Sequence, residues 1–207
     1  MTLEQMLALA PVVPVLTIED DAHAVPLARA LVAGGLKMLE VTLRTPAAEG
    51  AIRRIAGEVE DAVVGAGTVL DPRALERVTK AGAQFAVSPG LMQDVPADGP
   101  VPLLPGVATA TELMNGVSRG FSLFKFFPAV PAGGVAMLKA FAPVFAQARF
   151  CPTGGITAQN APEFLALSNV VCVGGSWIAP PGLIRAGDWK PITQLARACQ
   201  LLGPKPL

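Results

Sequence analysis

Phe121-Ser-Leu-Phe-Lys-Phe-Phe-Pro128 is an almost unbroken apolar run that carries one lysine and is closed by a proline. A strand with one wet face alternates apolar and polar residues, whereas a strand covered on both faces has no need to. Ser122–Phe126 therefore reads as a short strand buried on both sides. The same pattern recurs at Val12–Thr17, Lys37–Leu43, Ala62–Ala66, Gln84–Val87, Val101–Leu104, Ala148–Cys151 and Val170–Val173. Helical signals fall between these runs. Thr2-Leu-Glu-Gln5 is a capping box opening Leu3–Leu9, and Asp20–Ala33 ends at Gly34-Gly35. Pro46 to about Val59 follows, Asp71-Pro72 starts another helix, and Thr109-Ala-Thr-Glu112 is a second capping box. The remaining helices are Gly134 to Ala142, Ala158–Leu167 and Ile192–Leu202, while the segment before Gly99 leaves room only for a stub. Strand then helix, about eight times over, implies an α/β chain with parallel strands and right-handed crossovers. The expectation is a compact (β/α)8 TIM barrel with a short N-terminal helix, one domain over residues 1–207. An open doubly wound sheet is the alternative, but the first strand–helix turn lacks its Gly-rich fingerprint.

Composition suits that reading and excludes others. The chain is 52% hydrophobic and 15% charged, enough apolar content for a packed core despite 21 glycines and 20 prolines. Lys+Arg and Asp+Glu are 16 each, without a basic stripe, so nothing points to nucleic acid or a membrane surface. The N-terminus lacks a secretory n-region, and the apolar run to Ile18 is interrupted by Pro11 and Pro14. Cys151, Cys172 and Cys199 have neither disulfide nor zinc spacing. A cytoplasmic soluble protein is expected. There is no tyrosine, and the single histidine, His23, falls where a helix should begin and reads as a surface residue. A His-based triad or metal site is therefore not expected, and any general base should be a carboxylate or a lysine.

Active sites of such barrels lie at the C-terminal ends of the strands. Lys125 stands there among apolar neighbours. Burial disfavours the ammonium and should lower its pKa, and a neutral amine can attack a carbonyl to form a Schiff base. The alternative is a lysine that snorkels out to an ion-pair partner. Phe127 shares its parity and is a candidate apolar wall. Along Glu40-Val-Thr-Leu-Arg44, strand periodicity puts Glu40, Thr42 and Arg44 on one face, as general base and anion clamp or simply as an ion pair. Thr153-Gly154-Gly155 and Gly174-Gly175-Ser176 follow the last two strands, where barrels often cradle a phosphate on backbone N–H groups. They can also be no more than tight turns. Thr68 and Pro89 end the third and fourth strands and are candidate pocket lining. A Schiff-base lysine, one carboxylate, one arginine and a phosphate cradle suit retro-aldol chemistry, or its reverse, on a phosphorylated carbonyl compound, with no metal and no cofactor expected.

Leu39-Glu-Val-Thr-Leu-Arg-Thr45, Gly65-Ala-Gly-Thr-Val-Leu70, Phe85-Ala-Val-Ser-Pro-Gly90, Phe124-Lys-Phe-Phe-Pro-Ala129, Phe150-Cys-Pro-Thr-Gly-Gly-Ile156 and Gly174-Gly-Ser-Trp177 together resemble the signature segments of 2-keto-3-deoxy-6-phosphogluconate (KDPG) aldolases. The resemblance spans nearly the whole chain in the same order. It implies Lys125 as the Schiff-base residue and Glu40 as the acid/base, with Arg44 and Thr153 on the pyruvate carboxylate. Gly174, Gly175 and Ser176 are implied for the sugar phosphate. It also implies a homotrimer acting in the Entner–Doudoroff route, with 4-hydroxy-2-oxoglutarate (KHG) as a second substrate. Val130 stands where the family often has glutamate, and the segment from Gly90 to Val101 is short; both could alter the pocket rim. The rival readings are a non-catalytic phosphosugar-binding barrel and a phosphosugar isomerase or epimerase.

Overall fold

Helices and parallel strands alternate along most of the chain in the computed structural model, which describes residues 1–93, 95–97, 99 and 101–203. The strands are β1 Val12–Leu16, β2 Met38–Thr42, β3 Val63–Gly67, β4 Ala86–Val87, β5 Leu103–Leu104, β6 Gly106–Val107, β7 Leu123–Phe126, β8 Arg149–Pro152 and β9 Val173–Gly175. The helices are α1 Leu3–Leu7, α2 Ala24–Ala33, α3 Ala48–Glu58, α4 Pro72–Lys80, α5 Ala110–Ser118, α6 Gly134–Phe141, α7 Ala161–Leu165, α8 Pro181–Ala186 and α9 Trp189–Cys199. Every ladder is parallel. Six strands pair in the order β5-β4-β3-β2-β1-β9 and three in the order β6-β7-β8.

The expected single ring of eight strands thus divides into two sheets. One division falls at Pro105, which has no amide proton for a ladder and separates β5 from β6. Its carbonyl still accepts from the Lys125 N–H at 2.9 Å. The other falls between β8 and β9, joined only by the isolated parallel bridges Phe150↔Val170 and Thr153↔Gly174.

Both faces of the strands are buried, which is why their sequences do not alternate. Leu39 and Val41 of β2 pack with the helices in one apolar cluster, whereas Met38 joins Val13, Val63 and Phe85 in a second. Met6 and Leu7 of α1 belong to that second cluster. Phe124 and Phe126, the immediate neighbours of Lys125, point to the helical side and meet Phe150, the latter edge-on at 6.4 Å. The aromatic bulk around the lysine in sequence is thus mostly on the opposite face in space.

Local signals are realised with some shifts. Thr2, Asp71 and Thr109 cap α1, α4 and α5 through their side chains, with full capping boxes at Thr2 and Thr109. The helix expected from Asp20 begins as a 3-10 turn, Asp21–His23, capped by Asp20. His23 is half-buried rather than exposed, with its ring 5.8 Å from that of Trp189. α8 was not anticipated, and α9 starts three residues before the expected Ile192. No helix forms between residues 91 and 101 among the described residues; 94, 98 and 100 lie outside them. The three cysteines are free and buried. Cys151 and burial push the Cys172 thiol up, and burial raises Cys199 to about 11, so both stay as unreactive thiols. Among the described residues no helix is long and apolar enough to cross a membrane.

Candidate active site

Glu40 and Lys125 meet inside the curled sheet although they are 85 positions apart in sequence, with Nζ donating to Oε1 at 3.1 Å. Their side chains are 5% and 6% exposed respectively, so the pair is essentially dry. Each is the inward-facing residue near the C-terminal end of its strand. Alternation explains it: Met38 and Glu40 share one face of β2, and Leu39 and Val41 the other. Phe127, the next inward position after Lys125, places its ring centroid 5.2 Å from Nζ, within cation–π range. The Phe127–Pro128 peptide is cis.

Space for this pair is made by glycines. Gly67 on β3 faces Glu40, and an added Cβ would lie 2.8 Å from the carboxylate carbon Cδ. Gly65, paired directly with Glu40, would place a Cβ 2.5 Å from the Phe85 ring. A sequence signal for both was present: glycine at i and i+2 in a strand beside an ionisable residue marks close approach on one face.

Beyond β3, Thr68 has φ +59. A β-branched residue in the left-handed region is strained, and such strain gathers at ligand clamps. Thr68 and Pro89 are both half-buried. Thr153 is buried, bridged to Gly174 and 3.5 Å from the Cys151 carbonyl. An added Cβ on Gly174 would fall on the Thr153 side chain, 3.0 Å from Cγ2. Gly154 and Gly155, with φ +101 and +77, form the turn after β8, where Phe127 and Val130 pack against them.

Two placements differ from the sequence reading. β2 ends at Thr42, so the alternation that should carry Arg44 onto the Glu40 face stops two residues short. Arg44 lies in the following turn, exposed, without an ion pair among the described residues. Gly174 and Gly175 lie within β9, paired with Val13 and Pro14, rather than in the loop beyond it. Gly175 is needed there because the Trp177 ring lies over it. Ser176 is exposed at the turn. Cavities of about 590 Å³ between α2 and α9 and about 370 Å³ beside α4 touch none of these residues. The convergence of ionisable groups, rather than cavity size, marks the site.

Replacing Gly174 with alanine should destabilise the fold by about 1–3 kcal/mol, because buried Thr153 cannot yield. Urea unfolding measures it. Adding Thr153→Ala should recover part of the loss, as expected for coupled neighbours.

The family model for KDPG and KHG aldolase matches residues 3–195. The chain is 54% identical over 197 residues to the KHG/KDPG aldolase of Escherichia coli K12, covering 94% of this chain and 92% of that protein. It resembles the KDPG aldolase structure of Zymomonas mobilis ATCC 29191 with TM-score 0.94 and 48% identity, over 100% of both chains. A Legionella pneumophila KDPG aldolase, 47% identical with TM-score 0.94 over 97% and 98% of the two chains, holds pyruvate captured at low pH as a covalent carbinolamine intermediate. With a parallel α/β architecture shared over almost its full length, the chain belongs to the KDPG and KHG aldolase family.

Proposed function

We propose that the protein is a class I aldolase that cleaves KDPG to pyruvate and glyceraldehyde 3-phosphate through a Schiff base on Lys125. The observation that carries this reading is the dry Lys125–Glu40 pair at 3.1 Å. A buried ion pair contributes little or nothing to stability compared with apolar packing, so a barrel interior has no structural need of one. In the reaction, the neutral Lys125 amine attacks the C2 ketone to give a carbinolamine, whose hydroxyl takes up a proton from solvent and leaves as water, giving an iminium. The iminium takes the electrons of the C3–C4 bond while Glu40 removes the C4 hydroxyl proton. Glyceraldehyde 3-phosphate departs, the enamine is protonated at C3, and water releases pyruvate.

Arg44 and Thr153 hold the pyruvate carboxylate, with Thr68, Pro89 and Phe127 lining its pocket. For Arg44 this requires its exposed side chain to fold inward when substrate binds, where it can clamp a carboxylate bidentately. Gly154, Gly155, Gly174, Gly175 and Ser176 form the phosphate end. Borohydride reduction in the presence of pyruvate, followed by peptide mass spectrometry, tests the reading. It expects the pyruvate-derived mass on the peptide containing Lys125, and an unmodified lysine in folded protein would overturn it. The 3.1 Å contact is also what a non-catalytic phosphosugar-binding barrel would have, and that protein would bind phosphate without a covalent adduct.

KHG is the second substrate. Ser176→Ala should lower kcat/KM for KDPG about tenfold, the loss of one hydrogen bond to a charged group, and leave KHG nearly unchanged because it has no phosphate. Steady-state kinetics on both substrates separates the two.

We also infer that the two sheets form one closed (β/α)8 barrel and that residues 1–207 are a single domain. β5 and β6 are one strand interrupted at Pro105, and two bridges link β8 to β9. The two apolar clusters divide as the inside and outside of a ring would. A cytoplasmic homotrimer is the assembly we expect, supported by family membership; light scattering measures the mass in solution.

A further inference from the structure

The hydroxyls of Thr17 and Thr42 meet at the C-terminal ends of β1 and β2. β1 sits between β2 and β9 in the sheet, so a substrate reaching from Glu40 to the Ser176 turn crosses the C-terminal end of β1. Thr17 is the residue immediately after that end. It lies 3.3 Å, oxygen to oxygen, from Thr42, which shares the inward parity of Glu40. A small cavity beside it is lined by Thr17 together with Pro181, Ile184 and Arg185 of α8, the helix following the Ser176 turn, and by Glu19 and His23.

The proton accounting at this pair has one solution. Thr42 is fully buried and donates its hydroxyl proton to the Leu16 carbonyl at 2.9 Å. A hydroxyl has one proton to give. In the contact between the threonines, Thr17 is therefore the donor and Thr42 the acceptor. The half-buried Thr17 oxygen keeps acceptor capacity and has no proton left to donate.

We propose that Thr17 is a specificity-determining residue whose hydroxyl oxygen accepts a hydrogen bond from the substrate hydroxyl lying between the cleaved carbon–carbon bond and the phosphate. In KDPG this is the C5 hydroxyl, which becomes the 2-hydroxyl of glyceraldehyde 3-phosphate. An oxygen that can only accept matches a hydroxyl and mismatches a phosphate or carboxylate oxygen, which also only accepts when ionised. The assignment rests on the aldolase reading above and deepens it.

The test is the condensation of pyruvate with glyceraldehyde 3-phosphate and with 3-oxopropyl phosphate, which lacks only that hydroxyl. The readout is the ratio of kcat/KM for the two acceptors. Thr17→Val should lower the ratio about fivefold to tenfold, the worth of one neutral hydrogen bond, and Thr17→Ser should restore it. The loss should fall on the hydroxylated acceptor. An unchanged ratio in Thr17→Val, whether both acceptors suffer or neither does, overturns the assignment while leaving the aldolase reading intact. Wild-type protein that condenses pyruvate with neither acceptor, and forms no borohydride-trapped adduct, would overturn the aldolase reading itself.

Discussion

Lys125→Ala should abolish turnover of KDPG, lowering kcat/KM by on the order of 10⁴-fold or more, because no other group can supply the electron sink. Trapping with pyruvate and borohydride should fall to background in the same variant. The neighbouring sequence offers no substitute amine: within Ser122–Pro128, Lys125 is the sole lysine, and Phe124 and Phe126 face the helices. Removing the lysine also leaves the Glu40 carboxylate buried without its partner, a change that costs roughly 3–5 kcal/mol when the orphan stays charged. Circular dichroism and thermal unfolding must therefore accompany the assay. Lost activity in folded protein identifies the nucleophile, and near-normal activity would remove Lys125 from the chemistry.

Glu40→Gln should separate bond cleavage from imine chemistry. The amide keeps the shape and a hydrogen-bond acceptor for Lys125 but cannot take up a proton at neutral pH. A positioned general base contributes about 10²–10⁴-fold, so kcat should fall by that factor. Trapping of pyruvate on Lys125 should persist, since the amine and the site's shape are retained. Loss of trapping and turnover together would mean that Glu40 acts before carbon–carbon cleavage, in forming the imine. Full activity would support the view that Glu40 is only the ionic partner of the lysine. Gly67 bears on the same measurement, because its missing Cβ leaves room for the carboxylate. A glutamine fits that room.

Much of the molecule follows from local rules. The caps at Thr2, Asp71 and Thr109 are written within four residues each. The unalternating runs announce strands covered on both faces, and Met38 and Leu39 do fall in different apolar clusters. The signature segments announce the family. What these rules could not supply were the ends of strands. β2 stops at Thr42, so parity places Glu40 correctly inward but says nothing of Arg44 in the turn. β9 runs on through Gly174 and Gly175 because Val13 and Pro14 pair with them, and pairing is a property of two distant segments.

The sequence by itself determined the alternation of most strands and helices, the double burial of the strands and the identity of the residues able to do chemistry, though not α8 or the break at Pro105. Periodicity and capping act over a few residues, within reach of a local reading. Only the tertiary structure decided that Glu40 and Lys125 touch, that Gly67 and Gly174 serve to admit the side chains opposite them, and that Thr17 reaches Thr42. Those contacts depend on register between strands and on the curvature of the sheet, which arise from packing among segments far apart in the chain.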